Sequence, residues 1–279
     1  MLKIAVSPCP NDTVSFWPLL EKKTSPPFPI QVDFYELNEL NSMVLEDLQG
    51  IKKCPYDIVK ISCALLNKIP SSGSCWKPLS IGGAFSYHNG PKLVSHRNAK
   101  KMALEELDLI VPSHLSSAYA IFSHLFPHHP YSQKNTCLPK TPRRLCYSEI
   151  LRAVQTSPNA LGLIIHESHL ALDPAIHIIR ADLGKMWQQA YQLPIPLGLQ
   201  LSHTSIPNNL LKSYIKYWKQ STVFALLHLD QAIAFIQKHS QEKSSSVIRT
   251  YLEDFVTIDS FHQSTNAQRA LNTLTAPSF

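Results

Sequence analysis

The stretch from Lys3 to Lys23, KIAVSPCPNDTVSFWPLLEKK, constrains this chain more than any other. Ile4, Ala5 and Val6 are an apolar run of strand length, and Pro8 and Pro10 deny the next residues a helix. Asn11, Asp12 and Thr13 are N-cap types ahead of Val14, Phe16, Trp17, Leu19 and Leu20. The pattern predicts a buried strand, a Pro-rich turn and the start of an amphipathic helix. A helix N-terminus at the carboxyl end of a strand offers unpaired N–H groups and partial positive charge, a ready site for a carboxylate or phosphate. A capped first turn that binds nothing fits the same local pattern.

The same logic recurs in mid-chain. Asp108 to Val111 reads as a strand, and after Pro112 the hydroxyls of Ser116 and Ser117 precede an apolar helix. Ser116 serves there as a simple N-cap or as part of an anion site. Between the two turns, Ile30 to Tyr35 alternates like a strand and Leu37 to Leu48 has helical spacing. Asp57 to Ser62 is an apolar strand carrying Lys60, Ile61 and Ser62. A lysine in such a run must reach solvent or an anion, because a buried, unpaired charge is costly. Snorkelling at a sheet edge and contact with a ligand are both open to it.

Further on, Lys92 to Ser95 reads as a strand, residues 126–144 as a Pro-, His- and Arg-rich loop with a short strand, and Tyr147 to Thr156 as an amphipathic helix. Leu161 to Ile165 is an apolar strand that ends in His166 and Glu167. A neutral imidazole can take a proton near neutral pH, so His166 is the candidate general base. A surface histidine at a strand end fits as well, and Glu167 is an alternative base or a group that orients the imidazole. A Trp-bearing helix over Lys185 to Tyr191, a return strand over Leu197 to Leu201, and helices over 209–229, 231–241 and 245–255 complete the pattern, with a short helix in the tail after His262.

Composition narrows the function classes. At 279 residues the chain can bury a core in one large domain or two lobes. Hydrophobic content of 44% with 16% charged residues describes a soluble globular protein. The net charge of +6 is spread over short clusters such as Lys22-Lys23 and Arg143-Arg144, which argues for an acidic small ligand and against nucleic acid. No run of about 18 apolar residues exists to cross a membrane, and the chain enters a core strand at once, so a cytoplasmic protein is expected. The six cysteines contain no C-x-x-C pair and read as reduced structural thiols. His166-Glu-Ser-His169 is not a zinc motif, and no His, Cys, Asp or Glu set has ligand spacing, so no metal is expected.

SPCPNDT, Ser7 to Thr13, directly after a strand at the chain start resembles the signature of the 1,4-dihydroxy-6-naphthoate synthase family of the futalosine route to menaquinone. Lys60-Ile61-Ser62 is similar to that family's K-[LI]-S, and Ser116-Ser117 stand where it has a Thr pair. Gly162 to Glu167 resembles its G-[LV]-I-I-H-E, while Asp182-Leu-Gly184 and Pro194 to Gly198 resemble its D-L-G and P-x-P-L-G. Of the glycine-rich G-A-L-G-R-G-x-G-P, Gly83, Ala84, Gly90 and Pro91 are kept, and Phe85 to Asn89 depart. The Asn of V-N-x-x-[ST]-L is lost in Val256 to Phe261.

The resemblance implies an α/β, two-lobed type II periplasmic-binding-protein-like fold with a ligand cleft between lobes. Lobe one would hold 1–91 and 203–279, and lobe two 92–202. It implies a lyase that fragments cyclic de-hypoxanthine futalosine to 1,4-dihydroxy-6-naphthoate without metal or organic cofactor. His166 would be the general base, with Lys60, Ile61, Ser62, Ser116 and Ser117 on a carboxylate substrate beside the Asn11, Asp12 and Thr13 turn. A chorismate dehydratase-like enzyme of the same pathway lacks SPCPNDT, and a solute-binding protein would want a leader. The oligomeric state, monomer or dimer, stays open.

Overall fold

A computed structural model describes residues 1–135, 140–165, 172–240 and 243–276. The chain opens with β1 (Leu2–Val6), α1 (Pro10–Leu20), β2 (Ile30–Phe34), α2 (Leu37–Leu48), β3 (Ile58–Ser62), β4 (Trp76–Pro78) and β5 (Ala84–Ser86). It continues through β6 (Lys92–His96), β7 (Asp108–Val111), α3 (Ser117–Leu125), β8 (Arg143–Arg144), α4 (Tyr147–Thr156), β9 (Ala160–Ile164), β10 (His177–Asp182), α5 (Leu183–Tyr191) and β11 (Ile195–His203). It closes with α6 (Asn208–Leu227), α7 (Leu229–His239), α8 (Ser245–Phe255), α9 (Ile258–Phe261) and α10 (Thr265–Thr275). No helix of the described residues is long and apolar enough to cross a membrane.

The elements group into two compact units, Met1–Phe85 with Gly198–Thr265, and Ser86–Leu197 with the chain from Asn266 onward. This differs from the division expected from sequence (1–91 with 203–279, against 92–202) at both crossings and in the tail. In the tail, α10 buries an apolar stripe of Ala267, Ala270, Leu271 and Leu274.

The first unit is built on a sheet of order β2-β1-β3-β11-β4, with β5 also paired to β11. β1 runs parallel to β2 and β3, with Ile4 opposite Val32 and Ile58. β11 is antiparallel to β3 and β4, with Gln200 opposite Lys60 and His203 opposite Trp76. Leu2, Ile4, Val6 and Ile58 of the sheet form one core cluster with Phe16 of α1 and Tyr214 and Trp218 of α6. Val14 and Trp17, also on α1, belong to a second cluster with Ile233 and Ile236 of α7 and Ile248 and Leu252 of α8. The sequence predicts an amphipathic helix here, and the structure corrects this. Every residue from Pro10 to Pro18 is buried, because α6 to α8 cover the face that would otherwise meet solvent.

The second unit is built on a sheet of order β10-β6-β9-β7-β8, with β6 antiparallel to both neighbours and β7 parallel to both of its own. Val94, Ile110, Ile150, Val154, Ala160 and Ile164 form its core cluster. Gly162 sits where a Cβ would lie 2.7 Å from Ile150 Cγ2 and 2.8 Å from Val154 Cγ2, so its bare Cα lets α4 lie directly on β9.

Candidate active site

β1 delivers Ser7 to the foot of α1. Pro10 takes the first helical position, where its missing N–H costs nothing, so the N-cap is Cys9, with no side-chain cap bond. This corrects the capping role expected of Asn11, Asp12 and Thr13. The N–H groups of Asp12 and Thr13 both donate to the Cys9 carbonyl at 3.0 Å, and the Thr13 hydroxyl donates to the carbonyls of Cys9 and Pro10. All three residues lie inside the helix, which frees their side chains for other work.

Asp12 is the centre of that work. Its Oδ2 accepts from the Ser7 hydroxyl at 2.6 Å and the Ser7 N–H at 3.3 Å. Its Oδ1 accepts from Asn11 Nδ2 at 3.1 Å and from Lys60 Nζ at 2.6 Å. Lys60 also donates to the Gly82 carbonyl at 2.7 Å and is 2% exposed. The lysine that sequence required to find solvent or an anion therefore finds a buried aspartate. Snorkelling is excluded, and the desolvation of both charges is offset by charge-assisted bonds of good length.

The backbone around Lys60 is shaped to admit it. A Cβ on Gly198, across the β3–β11 ladder, would lie 2.9 Å from Lys60 Cε. Gly82 holds a φ of +68°, and a Cβ there would stand 2.5 Å from Gln200 Cδ. Gln200 Oε1 in turn accepts from the Tyr214 hydroxyl at 2.8 Å, a phenol whose pKa burial drives upward, so it stays a donor. Asn11 Oδ1 accepts from the Tyr251 hydroxyl at 3.1 Å, which ties α8 to the turn. Ser62 shares two hydrogen bonds with Asn41 of α2, N–H to Oδ1 at 2.9 Å and Oγ from Nδ2 at 3.1 Å, and Ile61 is fully buried. Tyr251, Tyr214, Gln200 and Asn41 were missed by the sequence reading, since each is a single polar residue on an otherwise ordinary helix or strand.

In the second unit, Ser116 is the N-cap of α3. Its Oγ accepts from the Tyr119 N–H at 3.2 Å and donates to the Ser113 carbonyl at 2.9 Å. The Ser117 hydroxyl donates to the Leu197 carbonyl at 2.6 Å, which attaches the start of α3 to β11. The D-L-G stretch is structural as well: Asp182 caps α5 through the Lys185 N–H and pairs with Lys92 Nζ at 2.8 Å. The departing segment after Phe85 folds on itself, with Ser86 Oγ accepting from the N–H groups of His88 and Asn89. His166 and Glu167 lie outside the described residues.

The chain is 29% identical over 276 residues to a 1,4-dihydroxy-6-naphtoate synthase of Thermus thermophilus, covering 99% of this chain and 93% of that protein. It is 29% identical over 259 residues to the same-named protein of Streptomyces coelicolor, covering 91% and 86%. A crystal structure of an Archaeoglobus fulgidus protein superposes with a TM-score of 0.82 at 19% identity, covering 98% of this chain and 94% of that one. The periplasmic aliphatic sulphonate binding protein of Escherichia coli does so at 0.65 and 11% identity, covering 98% and 85%, which shows the periplasmic-binding-protein fold. With residues 2–277 also matching the family model described as menaquinone biosynthesis, the chain belongs to that family of pathway enzymes.

Proposed function

We propose that the chain is a 1,4-dihydroxy-6-naphthoate synthase, a cytoplasmic carbon–carbon lyase that converts cyclic de-hypoxanthine futalosine to 1,4-dihydroxy-6-naphthoate. The near full-length match to two proteins of that name carries this reading. The Ser7–Asp12–Lys60 network built on the matching SPCPNDT and K-I-S stretches supports it. In the reaction, a base removes a proton from the bound cyclic substrate and a retro-aldol-like cleavage breaks a carbon–carbon bond. A dihydroxyacetone-type fragment leaves, and aromatisation of the ring draws the step forward. His166 is the proposed base, because only an imidazole is uncharged near neutral pH and still basic enough without help.

The substrate carboxylate is assigned to the start of α3, where a ligand oxygen replaces the Ser113 and Leu197 carbonyls as acceptor for the Ser116 and Ser117 hydroxyls. Lys60, Ile61, Ser62 and the Asn11 to Thr13 turn are assigned to the substrate by their match to the family's motifs.

The test is incubation of purified protein with the cyclic futalosine derivative and detection of the naphthoate by mass. Product formed with turnover supports the reading; binding without product favours a solute-binding protein of the same fold, and that result, or the absence of both binding and product, removes the synthase assignment. His166→Asn is expected to lower kcat by about 10²–10⁴-fold with substrate affinity near normal. Near-normal turnover in that variant would bring Glu167 forward as the base.

A further inference from the structure

The first unit gathers a second set of chemically distinctive side chains at the opposite end of its strands. Asp47 in the last turn of α2, Cys75 just before β4 and His203 at the end of β11 each place a ligand atom within 4.8 Å of the others. The ladder between β4 and β11 sets His203 opposite Trp76, and the Thr204 N–H donates to the Cys75 carbonyl at 2.7 Å. Backbone pairing thus holds thiol and imidazole side by side. The carboxylate is aimed by two donors, the Trp76 indole N–H to Oδ2 at 2.7 Å and the Cys54 N–H to Oδ1 at 3.2 Å. Cys75 Sγ lies 3.9 Å from the same Oδ2. His203 Nδ1 lies 2.7 Å from Ser205 Oγ and accepts from the Ser205 N–H at 3.2 Å, and the Trp76 ring stands edge-on at 5.2 Å; binding a metal through Nε2 moves the imidazole proton to Nδ1, which then donates to Ser205 Oγ. A pocket of about 500 Å³, lined in part by Lys3, Lys53, Cys54, Tyr56, Asp57 and His203, opens beside the imidazole.

We propose that Asp47, Cys75 and His203 bind one divalent transition metal of the zinc class, with water as fourth ligand. A thiolate, an imidazole and a carboxylate suit zinc or cobalt and disfavour magnesium and calcium. Bonds of about 2.0–2.3 Å in a tetrahedron put neighbouring ligand atoms roughly 3.5 Å apart, close to the sulfur–oxygen separation already present. All three side chains are only partly buried, so the imidazole can make the remaining shift. On binding, the Cys75 S–H bond is replaced by a sulfur–metal bond and the proton leaves to solvent; no electron is transferred.

The site is structural. It lies beside the amino end of β3, where Ser202 pairs Ile58, whereas the Asp12–Lys60 network lies toward the carboxyl end, where Gly198 pairs Ser62. An ion there would clip α2, β4 and β11 together.

The test uses the full chain, stripped with a chelator and titrated with Co²⁺ and then Zn²⁺. One equivalent of Co²⁺ should bind with a near-ultraviolet thiolate-to-cobalt charge-transfer band, which Zn²⁺ bleaches and Cys75→Ser abolishes. Loss of a ligand in Cys75→Ser or His203→Ala should weaken Zn²⁺ binding by at least the ~10–100-fold typical of losing an outer partner. In the unaltered chain, Zn²⁺ should slow alkylation of Cys75, read by peptide mass, so the test does not depend on a variant that folds. No charge-transfer band, a band that survives Cys75→Ser, or alkylation of Cys75 indifferent to Zn²⁺ would overturn the assignment.

Discussion

Lys60 and Asp12 are the residues whose joint burial is hardest to explain without function. Among the described residues each charge is held by groups of its own unit, and each is nearly inaccessible to water. Removing one partner strands the other, so Asp12→Asn or Lys60→Met should each cost about 3–5 kcal/mol in urea unfolding. The double variant should cost less than the sum, by roughly 0.5–3 kcal/mol of coupling; strict additivity would mean the two charges do not sense each other. Ser116 is the N-cap of α3, and the proposed function adds a ligand-donor role that substitution can separate from it. As N-cap of α3, its change to Ala should cost about 1 kcal/mol of stability. As a ligand donor, Ser116→Ala with Ser117→Ala should weaken substrate binding roughly ten- to a hundredfold, on the scale of charge-assisted bonds of about 1.5–3 kcal/mol. Unchanged affinity, measured by calorimetry, would leave only the cap.

Among the elements, α5 and α3 show how close packing and burial make local demands. Gly184, at the start of α5, meets Gly90 so closely that a Cβ would stand 2.7 Å from the Gly90 nitrogen. Backbone does not yield, so Gly184→Ala should destabilise by about 1–3 kcal/mol; an unchanged denaturation midpoint would show that the segment can move. The end of α3 packs onto His129, which is buried edge-on against Phe122 and takes the Tyr131 N–H on Nδ1 at 3.2 Å. Burial pushes its pKa below the usual histidine value of 6.5, and does the same to His124 within α3. The unfolded chain then binds protons that the folded chain refuses, so stability is full above about pH 6.5 and falls as pH drops through and below it. Replacing His129 with Gln should flatten that slope in urea midpoints taken from pH 7 to pH 5; an unaltered slope would assign the effect to other groups.

Across the whole molecule, the strand order of the first sheet returns a late strand, β11, beside β3, some 130 residues after it in the chain. That return brings Gly198 and Gln200 to the Lys60 network and His203 to Cys75 and Asp47. One strand therefore serves both ends of the unit. The proposed lyase chemistry needs only proton transfer, so turnover at 25 °C should survive exhaustive chelation even where the melting temperature falls. Activity lost with the metal and restored by it would tie the cation to the reaction instead.

The two strand–turn–helix units at Ser7 and Ser116, the lysine-bearing strand and the alternation of strands with helices were legible in the amino-acid sequence. They rest on apolar runs, cap-type residues and prolines within a few positions of one another, where local sterics and hydrogen bonding decide. Tertiary structure alone decided that Lys60 pairs with an aspartate 48 positions away and that Cys9, not Asn11 or Asp12, caps α1. It alone decided that α1 is sealed between the first sheet and helices from the far end of the chain. It also decided the short strands β4 and β5 and the edge strand β10, whose residues carry too little pattern of their own and become strands by pairing with β11 and β6. The reason is common to all of these: a partner chosen through space depends on sheet order and on which glycines let backbones approach, and neither leaves a periodic trace in the sequence.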